Sequence, residues 1–108
     1  MKKEESLNEL RQIPGIGKSL AMDLYRLGYK NISSLKGENP ELMYVMLNEL
    51  NGHVNDICVL YTFRCAVYFA NTAPKKHNPE KLKWWSWMDK EKVSSKEKHE
   101  LLLKQFRR

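Results

Sequence analysis

Apolar residues recur at helical spacing along most of this 108-residue chain, and the interruptions fall where proline, glycine and small polar residues cluster. From about Glu4 to Ile13 the positions Leu7, Leu10 and Ile13 share one face, which predicts a short amphipathic helix with Ser6 or Asn8 near its start. Pro14-Gly15-Ile16-Gly17 cannot continue that helix, because proline clashes with the preceding turn and glycine opens backbone angles that other residues avoid. The period resumes at Lys18, with Leu20, Ala21, Leu24 and Leu27 on one stripe and Gly28 as the stop. Asn31-Ile32-Ser33-Ser34-Leu35-Lys36-Gly37 reads as a single helical turn anchored by its two apolar residues. A third main helix starts at Asn39-Pro40-Glu41, a cap followed by proline at the first helical position, and runs to Leu50 before Asn51-Gly52. From Asn55 or Asp56 to about Asn71 the chain is apolar on nearly every side, the mark of the helix against which the others pack.

The pattern then changes. Thr72 to Pro79 contains two prolines and polar residues and reads as an exposed linker. Leu82-Lys83-Trp84-Trp85-Ser86-Trp87-Met88-Asp89 holds all three tryptophans, too much aromatic surface to leave in water without cost, so the segment is expected to dock on the body. Ser94 to Arg108 offers a last helix, capped by Ser94 or Ser95 with Glu97 near the capping-box position. Its apolar residues, Leu101, Leu102, Leu103 and Phe106, crowd at one end, which suits weak packing or a partner. Two regions follow: a body over 1–72 and a C-terminal extension over 73–108.

Charge sharpens that division. Residues 1–72 carry eight Lys/Arg and eight Asp/Glu, whereas residues 73–108 carry eleven Lys/Arg and five Asp/Glu, so the whole net charge of +6 sits in the extension. An anionic partner met partly through the C-terminal segment fits this distribution, with a solvated charged helix as the plainer alternative. With 42% hydrophobic residues the chain is suited to one domain with one core. No apolar run approaches the roughly 20 residues of a membrane span, and the first residues lack the pattern of a secretory signal, so a cytoplasmic protein with no membrane contact is expected. Cys58 and Cys65, seven apart on one helix, would have Cα atoms roughly 10 Å apart and cannot bridge each other there. They read as small buried hydrophobes. No zinc spacing, P-loop or catalytic Ser/His/Asp or Cys/His set accompanies them, and neither a metal, a cofactor nor an enzyme activity is expected.

The sharpest chemistry lies at Ile13-Pro14-Gly15-Ile16-Gly17-Lys18. The first N–H groups of a helix lack internal partners and carry the positive end of the helix dipole. A turn over Gly15, Ile16, Gly17, Lys18 and Ser19 therefore forms a candidate phosphate site, with Lys18 adding a full charge, bare glycines admitting the ligand and the Ile16 side chain pointing inward to hold the two helices together. Such a site grips the sugar-phosphate backbone and reads no bases. A plain tight turn between packed helices would use similar residues.

Leu10-Arg11-Gln12-Ile13-Pro14-Gly15-Ile16-Gly17-Lys18-Ser19-Leu20-Ala21-Met22-Asp23-Leu24 resembles the helix-hairpin-helix motif of DNA repair and recombination proteins. Taken with Phe63-Arg64-Cys65-Ala66-Val67-Tyr68-Phe69-Ala70 and the tryptophan segment, the chain resembles the bacterial pathogenicity locus family of small helix-hairpin-helix proteins over roughly residues 6–90. The hairpin is shared with many families, and the Trp-Trp-x-Trp segment discriminates better. The resemblance implies a tandem-hairpin helical fold and non-specific DNA binding, with phosphate contacts on Gly15, Gly17 and Lys18 and Ser19 next along the helix. Glycosylases of the wider superfamily add a catalytic aspartate, and some a lysine, beyond the second hairpin. No such pair is placed here, which favours binding over base excision.

An internal repeat supports a tandem arrangement. A shift of 37 positions sets Leu10 on Leu47, Ile13 on Leu50, Gly15 on Gly52, Leu20 on Ile57 and Leu24 on Tyr61. Coincidence among apolar helices is the rival. The second turn replaces Gly17 with Val54, Lys18 with Asn55 and Ser19 with Asp56, whose charge at a helix start would compete with phosphate, so it reads as structural. The expected fold is all-α: a five-helix-type bundle with one competent and one degenerate hairpin, the tryptophan segment and an extra C-terminal helix. Lys75, Lys76, Lys81 and Lys83 are candidates for further nucleic-acid contacts, and the tryptophans either stack on unpaired bases or cap the core. Weakly sequence-specific DNA binding is the leading expectation, and a protein adaptor docking through 94–108 is the alternative.

Overall fold

A computed structural model of the protein describes residues 2–106; Arg107 and Arg108, the end of the helix expected over 94–108, lie outside the described residues. Among these residues there are five α-helices and no strand: α1 Lys3–Leu10, α2 Lys18–Arg26, α3 Pro40–Asn51, α4 Ile57–Asn71 and α5 Ser95–Phe106. Short 3-10 turns occupy Ile32–Leu35, Pro74–Lys76, Pro79–Leu82 and Trp84–Trp87.

The starts and stops follow local chemistry. Asn39 accepts from the N–H groups of Glu41 and Leu42 at 2.9 and 3.2 Å and Pro40 opens α3, while Gly52 ends it in the left-handed region at φ 71°. The first helix stops three residues earlier than its apolar period. Gln12 and Ile13 donate to Glu9 and Leu10 through tightened turns at 3.0 and 3.2 Å, which carries the apolar face on to Ile13 without a full helix. Glu9 accepts from the Ile32 N–H at 2.7 Å and so fixes α1 to the connecting turn.

α4 is the central element. Leu60, Phe63 and Ala66 are fully enclosed, and Leu10, Ile13, Leu24, Tyr44, Leu47 and Leu102 from the surrounding elements join the same cluster. Enclosing each large aliphatic or aromatic side chain contributes about 1.5–3 kcal/mol before the ordering cost. No helix among the described residues is long and apolar enough to cross a membrane.

The C-terminal segment differs from its sequence reading in two respects. Thr72 to Pro79 is largely exposed, yet it is fastened rather than loose: His77 stacks on Phe69 with ring centres 4.5 Å apart, its Nε2 lies 3.0 Å from the Phe69 carbonyl, and the Asn78 N–H donates to the Tyr68 hydroxyl at 2.9 Å. Second, α5 packs against α3, with Leu102 buried and Leu103 and Phe106 partly covered; of the four apolar residues, Leu101 is the one left well exposed.

Arg64, on α4, ties these layers together. Its guanidinium reaches Glu41 of α3 at 3.1 Å, Asp89 at 2.9 Å and the Trp87 carbonyl at 2.8 Å, and Lys98 of α5 holds the other Asp89 oxygen at 3.1 Å. Burial pushes the Asp89 carboxyl upward, but the hydrogen bonds and charges of Arg64 and Lys98 outweigh it and leave the group below the ordinary carboxylate range.

Candidate functional site

The turn between α1 and α2 is pinned from inside by Ile13 and Ile16, both buried. Ile16 donates its N–H to the Ile13 carbonyl at 3.0 Å, so this residue supplies an anchor and has no backbone donor left for a ligand. The two glycines have different tasks. Gly15 sits at φ +85°, and a Cβ there would lie 3.2 Å from Thr62 Cγ2 and 3.8 Å from Trp84 Cδ1. Its missing side chain makes room for α4 and the tryptophan segment. Gly17 has an ordinary extended backbone at φ −91° and ψ −168°, and a Cβ there would meet nothing within 4 Å. Neither conformation nor packing requires glycine at 17.

Gly17 is the cap of α2, and the first helical bond of that helix runs from Ala21 N–H to Gly17 C=O at 2.9 Å. The N–H groups of Lys18, Ser19 and Leu20 therefore have no acceptor inside the helix. No side chain caps this start and its first turn holds no acid. Lys18 and Ser19 are exposed beside it. Arg11, exposed at the end of α1, lines the same groove as Lys18 and Ser19 over a floor that includes Leu7 and Met22. Sequence reasoning had passed over Arg11. Its place seven residues before Lys18, across a turn that folds the chain back, is the signal that marks it.

The turn between α3 and α4 makes the contrast. Gly52 has positive φ like Gly15, 37 residues earlier, but α4 begins at Ile57, two residues beyond the position that matches Lys18. Asp56 thereby takes the capping position that Gly17 holds in the first turn. Its carboxylate accepts from the Cys58 N–H at 2.8 Å, and the backbone and thiol hydrogen bonds of Cys58 lower its pKa. Ser95 Oγ, from the start of α5, accepts from the Ile57 N–H at 2.8 Å. Asn48 accepts from both the N–H and the side-chain amide of Asn55 at 2.8 and 2.7 Å and donates to His99 Nδ1 at 2.9 Å. The start of α4 is filled by the protein's own groups. α1 also lacks a side-chain cap, but Glu4 and Glu5 occupy its first turn.

The tryptophans divide. Trp84 and Trp87 are half-buried; Trp87 donates to the Lys81 carbonyl at 2.9 Å and tilts against Tyr68 at 5.5 Å between centres. Trp85 is 54% exposed and stands edge-on to Trp84 at 5.7 Å. Of the candidate lysines, Lys83 adjoins Trp84, which touches the first turn, and its Nζ lies 3.3 Å from Glu80. Lys81 lies over the Tyr68 ring at 5.6 Å, and Lys75 and Lys76 stand on the 3-10 turn past the end of α4. Cys65 is buried and its thiol is pushed up to about 11 by burial; Cys58 is half-buried and also raised, by burial and then by Asp56. Among the described residues no group of His, Cys, Asp and Glu is arranged to hold a metal ion.

These features define a small helical protein with an uncapped helix start beside Arg11, Lys18 and Ser19. Residues 3–93 match the family described as Pathogenicity locus, and the chain belongs to that family. The match ends just before α5. Comparison with curated proteins and with solved structures returned no match.

Proposed function

We propose that this protein binds DNA through the sugar-phosphate backbone, without reading sequence and without catalysing a reaction. In this reading α1, the first turn and α2 form a helix-hairpin-helix, the competent member of a tandem pair whose second member, α3 to α4, is structural. DNA repair or recombination in the bacterial cytoplasm is the setting that accompanies it.

The observation that carries the proposal is the start of α2. Among the described residues three backbone N–H groups have no acceptor behind a glycine that the fold does not require, with Lys18 and Ser19 beside them and no acid in the first turn. A phosphate placed there would receive backbone hydrogen bonds, the helix dipole and a lysine charge together. The start of α4 supports the reading by contrast, because there the N–H groups of Ile57 and Cys58 are taken by Ser95 and Asp56. The adaptor alternative has less to work with, since Leu102, Leu103 and Phe106 are engaged with the body.

The test is fluorescence anisotropy of a labelled short duplex over a salt series. The logarithm of affinity is expected to fall linearly with log salt, and affinity to be similar for unrelated sequences. Lys18→Glu is expected to weaken binding at every sequence and to reduce the salt slope by about 1. Duplex affinity unchanged by this substitution would remove the hairpin from the mechanism.

A further inference from the structure

The indole of Trp85 is the largest exposed aromatic surface beside the first turn. Trp84 and Trp87 already account for the docking of their segment: both pack against the core, and Trp87 also bonds to Lys81 and leans on Tyr68. Trp85 does neither. It is more than half exposed, its N–H donates to no acceptor among the described residues, and its ring is held edge-on by Trp84. Trp84 in turn is in contact distance of the place where Gly15 would carry a side chain. A flat aromatic face thus stands one ring away from the turn that leads into α2.

Charge indicates what such a face would meet. Residues 73–92 contain six lysines against Glu80, Asp89 and Glu91. Asp89 is neutralised internally by Arg64 and Lys98, so it does not offset the lysines at the surface. An exposed tryptophan in a lysine-rich segment suits an anionic polymer that also offers flat apolar faces, which is the chemistry of unpaired nucleotides. In duplex DNA the bases are stacked on one another and present no free face.

We propose that Trp85 is a stacking platform for an unpaired nucleobase, so that the protein prefers DNA in which duplex passes into single strand. The duplex part of this inference rests on the hairpin reading above; the stacking part stands on Trp85 alone. Base stacking on an exposed tryptophan supports about 5- to 150-fold in affinity.

Anisotropy with three labelled oligonucleotides tests it: a blunt duplex, the same duplex with a single-stranded tail, and the tail strand alone. Wild-type protein is expected to bind the tailed duplex more tightly than the blunt one by a factor in that range. Trp85→Ala is expected to abolish the difference while leaving blunt-duplex binding unchanged, and Trp85→Phe to retain part of it. The side chain is exposed, and an unchanged thermal midpoint verifies that each variant folds. The proposal is overturned if wild-type protein shows no tail preference, or if Trp85→Ala keeps it. Failure of the hairpin reading looks different: blunt duplex is then unbound or indifferent to Lys18→Glu, while the tail strand alone still binds in a Trp85-dependent way.

Discussion

Replacing Gly17 with aspartate separates folding from binding at one residue. The backbone there, φ −91° and ψ −168°, is open to any residue, and a Cβ would meet nothing within 4 Å. An aspartate would be able to accept from the free N–H groups of α2, as Asp56 does for Cys58 at the start of α4. A better cap contributes a few tenths of a kcal/mol over glycine, and a negative charge at the helix start adds about 0.3–1 kcal/mol. The variant is therefore expected to be more stable by about 0.5–1 kcal/mol, or about 2–6 °C in thermal midpoint for a chain of this size. Binding moves the opposite way. The carboxylate takes the donors that a phosphate would use and repels it, and hydrogen bonds to a charged group contribute about 1.5–3 kcal/mol, so DNA affinity is expected to fall about 10- to 150-fold. Calorimetry and duplex titration at one salt concentration check the two signs. A stabilised Gly17→Asp protein that binds DNA as wild type does would refute the assignment of phosphate to this helix start; a destabilised one would refute the account of the helix start itself.

Other substitutions test the scaffold. Gly15→Ala forces a side chain into the left-handed region and 3.2 Å from Thr62 Cγ2, and is expected to cost about 2–4 kcal/mol in urea unfolding, with a shift in tryptophan emission as Trp84 moves. Arg64→Leu leaves Glu41 and Asp89 without their shared cation and is expected to destabilise by about 2–4 kcal/mol, read from the denaturation midpoint. Asp89 has a folded pKa below its unfolded value of about 3.9, so its contribution is complete above that pH and lost as pH falls through the folded pKa. Acid unfolding of wild-type protein is expected to steepen below about pH 4, and Asp89→Asn to flatten that limb; an unchanged limb would count against the network. Burial holds the Cys65 thiol at about 11, so a thiol reagent at pH 8 is expected to modify it only after denaturant is added.

Much of the helical order was legible because each start and stop has a local cause. Asn39-Pro40 and Gly52 bound α3 by capping chemistry that acts within four residues, and the continuous apolar run identified α4 as the central helix. What the sequence left open depends on contacts between distant positions. The end of α1 was placed too late because Ile13 continues the apolar period through tightened turns that the period alone cannot distinguish from helix. The two glycines of the first turn looked equivalent, and only the approach of Thr62 and Trp84 to Gly15 separates them. Similarly, nothing in Ser94-Ser95 indicated that Ser95 would cap α4, 38 residues earlier in the chain, while Leu102 docked on the body.

The closing of the second turn bears on how the first is used. On the proposed reading a single helix start would engage few phosphates, and the body that carries it has no net charge, so it would supply only weak attraction by itself. The second turn offers no matching site, because Asp56 and Ser95 take donors at the start of α4. Any further contact has to come from a surface held in fixed relation to the open start, and the tryptophan segment is such a surface: Trp84 packs on Gly15, and Arg64 fastens its far end through Trp87 and Asp89. Arg64 holds the segment that carries Trp85 through its contacts with Trp87 and Asp89. Loosening that clamp would leave the N–H groups of α2 in place while freeing the aromatic platform, so affinity for tailed DNA should fall more than affinity for blunt duplex.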